Sequence, residues 1–352
     1  MQAKVVDLFC GIGGLTKGLQ NVGFNVVAGF DFDPTCRYAY EQNNDSQFLE
    51  RDINKVTADE VNSFYGDAEL KILVGCAPCQ PFSMMRKKYG EESNQNHKSH
   101  DLLLQFGRLI DETLPDIVSM ENVPSMAKSK LLPEFISILK KHGYSIDQKV
   151  VYCPDYNIPQ NRRRFVLVAS RLGEIKIIKP THDKKKVKIR DFIYNLPPVK
   201  SGEICLKDPM HRTAKLNPTN IKRIQASKPS GTWRDWSPDL LLDCHKKESG
   251  QTFTSVYGRL HWDKIGSTMT TQFYCYGTGR YGHPEQDRAL TLREGALLQT
   301  FPIDYKFIDP SRNFSIKDIA RHIGNAVPVR LGEVIGESIK EHIDSVKQGE
   351  VR

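Results

Sequence analysis

Cys79 stands between Pro78 and Pro81, just after the apolar run Ile72-Leu73-Val74-Gly75. The run reads as a buried parallel strand, and the residues after it as the loop at its carboxyl end. Flanking prolines confine the backbone of the cysteine, which suits a nucleophile. Glu121 comes after a second apolar run, Ile117 to Met120, and precedes Asn122-Val123-Pro124. A carboxylate at a strand's end is placed to move a proton or steady developing charge, although a helix cap or buried ion pair would use the same position. Arg162 and Arg164 flank Arg163 before another apolar run, Phe165 to Ala169. In an extended chain they share one face, and two guanidiniums on one face suit a phosphate or a base carbonyl.

Cys76 and Cys79 also have the spacing of a redox dithiol or of half a zinc site. No second pair or tight Cys/His cluster accompanies them. A dithiol would leave Glu121 and the arginines without a purpose, so Cys76 reads as a packing residue.

Open α/β sheets gather ligands at the carboxyl ends of their strands, and the elements needed to do so are legible here. Lys4 to Phe9 reads as a first strand, succeeded by the cluster Cys10-Gly11-Ile12-Gly13-Gly14 and a helix to about Val22. Asn25 to Asp31 is a second strand, and Asp31 falls twenty residues after Gly11. That is the layout of a nucleoside-binding βαβ unit, with glycine for close backbone approach and an acid for ribose hydroxyls. Position 16 is Thr rather than a third glycine. The departure disfavours a pyrophosphate cofactor and favours one without phosphates, such as S-adenosyl-L-methionine. Asp52 could meet an adenine amino group, or could be an ordinary loop aspartate.

Further strands are expected at Leu70–Val74, Ile117–Met120, Lys149–Tyr152 and Phe165–Ala169, and a helix at Leu131–His142. Asp101 can cap a helix running to about Thr113. Ser83 to His100 is polar and reads as a long loop. After about Gly173 the periodicity fades into a Gly-, Pro- and Thr-rich region with short β-like pieces at Gln251–Tyr257 and Thr268–Tyr276. Trp233 and Trp236 are read there as packing residues rather than base-stacking ones. Order returns at Arg288–Pro302, at a helix from Ser315 to Ile323, and at a last helix from Val329 to Val346.

The 352 residues suffice for two domains. No apolar run approaches a membrane span, and Asp7 inside the first apolar run argues against a secretion signal. Eight cysteines without a framework read as reduced thiols, hence a cytoplasmic chain. Between 171 and 305 there are 23 Lys+Arg and 14 Asp+Glu, while the remainder has 27 and 28. The positive excess is confined to one segment, which points to a polyanion-binding surface.

Taken together, Asp7-Leu8-Phe9-Cys10-Gly11-Ile12-Gly13-Gly14, Pro78-Cys79-Gln80, Glu121-Asn122-Val123, Gln160 to Arg164, Arg288 to Glu294 and Gly324-Asn325 resemble, in order, the motifs of the DNA (cytosine-5) methyltransferases. The family's usual Pro and Glu are replaced here by Ala77 and Asp31. The resemblance implies an α/β fold: a Rossmann-like methyltransferase sheet plus a smaller, loop- and β-rich target recognition domain. It places the catalytic domain at 1–172 plus 305–352 and the recognition domain at 173–304. It implies a covalent nucleophile at Cys79, with Glu121, Arg162 and Arg164 acting on a flipped-out cytosine, and no metal. S-adenosyl-L-methionine would be held by Phe9, Gly11, Gly13, Gly14, Leu15, Asp31, Asp52, Ile53, Pro78 and Asn325. Double-stranded DNA is the implied substrate of a monomer, with a restriction endonuclease of the same site as a cognate partner. Lys184, Lys185 and Lys186 would meet phosphates, and residues from Trp233 to Tyr281 would read bases. A tRNA cytosine-5 methyltransferase, a catalytically silent DNA-binding relative and a Rossmann oxidoreductase are the competing readings. The roughly 115 residues before Arg288 favour DNA over tRNA.

Overall fold

The computed structural model describes residues 2–78, 102–182 and 185–350. The expected nucleophile Cys79, the loop 83–100, the cap Asp101 and Lys184 lie outside the described residues. The chain divides into two compact units. One is Met1–Tyr156 with Arg163–Thr181 and Val327–Arg352; the other is Asn157–Arg162 with His182–Ala326.

The first unit is built on a seven-stranded sheet. Its strands are β1 (Ala3–Leu8), β2 (Asn25–Asp31), β3 (Gln47–Glu50), β4 (Leu70–Gly75), β5 (Ile117–Asn122), β6 (Ser145–Tyr152) and β8 (Arg163–Ser170), in the order β3-β2-β1-β4-β5-β8-β6. The first five run parallel, and β8 is antiparallel to both β5 and β6. Every residue of β5 is buried, as an interior strand of a covered sheet requires. The carboxyl ends of β1 to β5 therefore lie along one edge, and the antiparallel β8 begins at that same edge.

The last helix, Val329–Glu350, packs on the first, Gly14–Asn21, at a glycine contact. A Cβ at Gly18 would fall 2.4 Å from the Val329 carbonyl oxygen, and one at Gly332 2.9 Å from that of Leu15. The two backbones can approach only because both side chains are absent. The end of the chain thus closes the unit that its beginning opens.

Compactness groups 173–181 with the first unit, and 157–162 and 305–326 with the second, each opposite to the sequence-based division. Hydrogen bonds explain the grouping. Ile177 N donates to Asp147 Oδ2 at 2.8 Å, and Tyr156 Oη to the Ile178 carbonyl at 3.0 Å. The two-residue strand β7 (Gln160–Asn161) pairs with β11 (Gly266–Ser267). Gln299 Nε2 donates to the Ile323 carbonyl at 2.6 Å, which ties the helix Ile316–Asn325 into the second unit.

The second unit is loop-rich, with β7, β11 and a hairpin of β9 (Ile204–Cys205) and β10 (Asp208–Arg212) among its few strands. The β-like pieces expected at Gln251–Tyr257 and Thr268–Tyr276 are not strands; a 3₁₀ turn, Glu248–Thr252, overlaps the first. Trp233 and Trp236 are buried among Ile224, Tyr276 and Ala289, as packing residues should be. Their indole N–H groups donate to the Phe253 carbonyl at 2.9 Å and to Ser227 Oγ at 2.8 Å.

An ion pair organises this unit. Arg288 and Glu294, both fully buried, bond at 2.7 and 2.8 Å through both guanidinium ends, while Glu294 also accepts from Thr291 N at 2.7 Å. Burial pushes the Glu294 carboxyl up, but Arg288 outweighs it and holds the group at about 2. Burial holds the His283 imidazole, 3.7 Å from Glu294, down at about 4. Both groups bind protons less readily folded than unfolded, so both withdraw stability on acidification. The histidine contribution is lost as pH falls from 6.5 to about 4, and the glutamate contribution from 4.5 to about 2. Trp233, Trp236 and Trp262 are the three tryptophans of the chain, and all lie in this unit. Tryptophan emission in urea should therefore show a midpoint that falls as pH drops below about 6.5. A midpoint constant down to pH 4 would contradict the assignment.

Candidate active site

The edge formed by the strand ends begins with a strained turn. After β1, Phe9 has φ 59°, Gly11 φ 53° and Gly13 φ 83°. Positive φ is easy for glycine and uncommon for phenylalanine, and such strain concentrates at ligand sites. The turn is fixed by Asp31 at the end of β2. Its Oδ2 accepts from Gly11 N at 2.8 Å and its Oδ1 from Asp33 N at 2.9 Å. Burial raises its carboxyl above the ordinary range.

The absence of a third glycine has a structural reason. Thr16 Oγ1 donates to Asp7 Oδ2 at 2.7 Å and lies 3.2 Å from Tyr40 Oη, so this position ties the helix to β1. Burial pushes the Asp7 carboxyl up to about 7, and its Oδ1 is buried without a hydrogen bond among the described residues.

Gly13, Gly14 and Leu15 are buried under the turn. Asp52 is exposed after β3 and caps the turn Ile53–Lys55, accepting from Asn54 N at 3.1 Å; Ile53 beside it is buried. Phe32, which sequence reasoning missed, is 76% exposed immediately after Asp31. Its signal was a large aromatic residue directly after the end of a strand pattern.

At the next strands the edge becomes acidic and cationic together. Glu121 and Asn122 are the last two residues of β5, each 2% exposed. Arg164, near the start of β8, places Nε 2.9 Å from Glu121 Oε1. That approach is off the line of a hydrogen bond, and Oε1 is buried without one among the described residues. Asn122 Nδ2 donates to the Ala77 carbonyl at 3.1 Å, anchoring the loop that leaves β4. Pro78, at the end of that stretch, is exposed. Cys76, expected to be a packing residue, instead brings its Sγ to 2.8 Å from Glu121 Oε2.

The two arginines divide. Arg164 meets Glu121 and the Arg163 carbonyl, the latter at 2.7 Å. Arg162 is 2% exposed, and its guanidinium donates to the carbonyls of Met269 at 3.2 Å, Gly324 at 3.5 Å and Ala326 at 3.2 Å. It fastens segments of the second unit. Asn325 ends the helix Ile316–Asn325 of that unit and is exposed.

The arrangement has a fixed acid and a strained glycine turn at one part of the sheet edge. At another it has a buried carboxylate, an arginine, and the loop leading to a cysteine. The comparisons with known proteins agree. The family model of the C-5 cytosine-specific DNA methylases matches residues 3–341. The type II methylase M.HgiDII of Herpetosiphon aurantiacus is 50% identical over 99% of this chain and 98% of its own length. The type II methyltransferase M.PspPI of Psychrobacter sp. (strain TA137) is 31% identical over 96% of this chain and 78% of its own. Among solved structures, a putative DNA modification methyltransferase of an E. coli prophage has a TM-score of 0.71 at 20% identity, covering 97% of this chain and 99% of that one. The S. pombe Dnmt2 methyltransferase shares the fold too, with a TM-score of 0.65 at 18% identity, covering 96% of this chain and 98% of that one. With its motifs, its sheet and these relatives in agreement, the chain belongs to the C-5 cytosine-specific DNA methylases.

Proposed function

We propose that the protein methylates carbon 5 of a cytosine within a specific sequence of double-stranded DNA, using S-adenosyl-L-methionine and a covalent bond from Cys79 to the base. The observation that carries the reading is Glu121: a buried carboxylate, paired with Arg164, whose Oε1 has no hydrogen bond. Such an oxygen has a use if a polar ring edge arrives to meet it.

The chain's own groups supply the rest. Addition of the Cys79 thiolate at carbon 6 makes carbon 5 electron-rich, dividing a difficult step into easier ones. Glu121, having taken up a proton from solvent, bonds ring N3 and passes that proton to it as charge develops there, returning to the carboxylate. Arg164 keeps the carboxylate in place and offers its remaining N–H groups to the base carbonyl. The cytosine must leave the duplex stack to reach them. After transfer a base removes the carbon 5 proton and Cys79 departs.

The cofactor site is tested by the residues that would form it. Gly11 and Gly13 keep side chains out of the turn, Asp31 is oriented for ribose hydroxyls, and Phe32 presents an exposed ring for stacking on adenine. Phe9, Gly14, Leu15, Asp52, Ile53, Pro78 and Asn325 complete the proposed set. S-adenosyl-L-methionine supplies an electrophilic methyl group there and carries no phosphate, in keeping with a turn that has two of the three fingerprint glycines. Phe32→Ala should weaken cofactor binding about tenfold or more, the scale of one lost base–aromatic stack, with little change in melting temperature. Calorimetric titration with S-adenosyl-L-methionine measures this; an unchanged Kd would remove Phe32 from the site.

The second unit, with its basic excess, is proposed as the recognition part, and a restriction endonuclease of the same site as the biological partner. The basic excess supports the first reading and the type II relatives the second. The test is transfer of a labelled methyl group to unmethylated duplex DNA and, in parallel, to tRNA. Bisulfite sequencing of the DNA product should then show one recurring sequence. Labelling of tRNA alone would overturn the reading.

A further inference from the structure

We propose that Cys76 is a positioning residue for methyl transfer, acting through Glu121, whose catalytic role it presupposes. The thiol is half-buried and its Sγ lies 2.8 Å from Glu121 Oε2, while Arg164 Nε lies 2.9 Å from Oε1. A glutamate carboxylate turns easily about its last torsion, where the preference is broad and roughly two-fold. One contact on each oxygen removes that freedom. The thiol donates to Oε2, the guanidinium stands beside Oε1, and the plane of the carboxylate is set.

The two contacts are unequal in a useful way. Arg164 approaches Oε1 off the line of a hydrogen bond, so one direction at Oε1 is left to exchange a proton with ring N3 of the base. A thiol is a weak donor. It turns the carboxylate without gripping the negative charge as a second cation would, which leaves Glu121 able to take and pass on a proton. Cys76 is itself held in register: it directly succeeds β4, and Cys76 N donates to the Leu8 carbonyl at 3.3 Å. Two residues on, the chain reaches Pro78 and then Cys79, so the same short loop orients the acid and carries the nucleophile.

Three variants test the proposal: Cys76→Ala, Cys76→Ser and Glu121→Gln, with the Cys76→Ala/Glu121→Gln double variant. Single-turnover methyl transfer is measured on a duplex bearing the mapped site, alongside Kd for DNA and S-adenosyl-L-methionine. Cys76→Ala should slow transfer about tenfold, the effect of one lost hydrogen bond to a charged group, with both Kd values within about twofold. Cys76→Ser keeps a donor and should recover to within about threefold of the parent. In the Glu121→Gln background, Cys76→Ala should cost nothing further, because its route of action is gone. A packing role predicts otherwise: serine as poor as alanine, or an alanine loss undiminished in the double variant, would overturn the proposal. A Cys76→Ala protein at the parent rate would overturn it too. Glu121→Gln at the parent rate would instead remove the reading of the glutamate on which the proposal stands.

Discussion

Replacing Cys79 by alanine is expected to abolish methyl transfer, with a loss on the order of 10⁴–10⁶-fold, the scale of removing a covalent nucleophile. Cofactor affinity should be unchanged, because the turn at Gly11 and Gly13 and the carboxylate of Asp31 come after other strands. Cys79 lies outside the described residues, but the chain just before it is anchored. Ala77 is bound through its carbonyl to Asn122, and Asn122 adjoins Glu121 on β5. The loop is thereby tied to the strand that carries the acid. Duplex DNA containing 5-fluorocytosine supplies the direct test. Fluorine cannot leave as a proton does, so the parent protein should remain attached to the DNA through denaturing electrophoresis. Cys79→Ala should form no adduct, and Cys76→Ala should still form one. The opposite pattern would transfer the nucleophile to Cys76.

The division between what the sequence revealed and what it concealed reflects the range of the forces involved. β2 is found at its expected bounds, Asn25–Asp31, because an interior strand of a covered sheet must be apolar along its length. The same local signal located β1, β4, β5 and β8 to within a few residues, and so the strand ends that carry Asp31, Cys76 and Glu121. Where a long side chain ends was not legible. Arg162 and Arg164 look equivalent in the alternation of an extended chain, yet Arg162 reaches carbonyls at 269, 324 and 326 while Arg164 reaches Glu121. Those partners are more than a hundred residues away for the first and 43 for the second, and no period reports them. The contact of Cys76 with Glu121 was concealed for the same reason. As a small residue after an apolar strand it satisfies the pattern of packing, and only the tertiary position of Glu121 gives its thiol a partner. The grouping of 305–326 with the second unit rests likewise on single hydrogen bonds, such as Gln299 to Ile323. By contrast, the exposure of Phe32 interrupts a pattern rather than continuing it, and a bulky aromatic beyond a strand end was a signal available from the outset.

Glu121→Gln is the second substitution with a large expected effect, about 2–4 kcal/mol in the transition state, or roughly thirty- to a thousandfold in single-turnover rate. Glutamine keeps the length and shape of the side chain, so the strand around it should survive. What it loses is the ability to give up a proton as negative charge gathers on the ring, and the charge that draws Arg164 to 2.9 Å. The fold should tolerate the change. The substitution removes one charge from a site 2% exposed, Arg164 keeps its 2.7 Å bond to the Arg163 carbonyl, and the near-equal size of the two side chains opens no cavity. Loss of the ion pair is offset in part by the lower cost of burying an amide than a carboxylate, and Arg164, 14% exposed, keeps some contact with solvent for its unpaired charge. Melting temperature and DNA affinity should therefore move little while the rate falls. The adduct with 5-fluorocytosine DNA should form more slowly by a similar factor, since the proposed role of the glutamate is to assist the attack of Cys79 and not only the later methyl transfer. A variant that forms the adduct at the parent rate but transfers methyl slowly would place Glu121 after the attack. One that matches the parent in both steps would reduce it to a buried partner of Arg164.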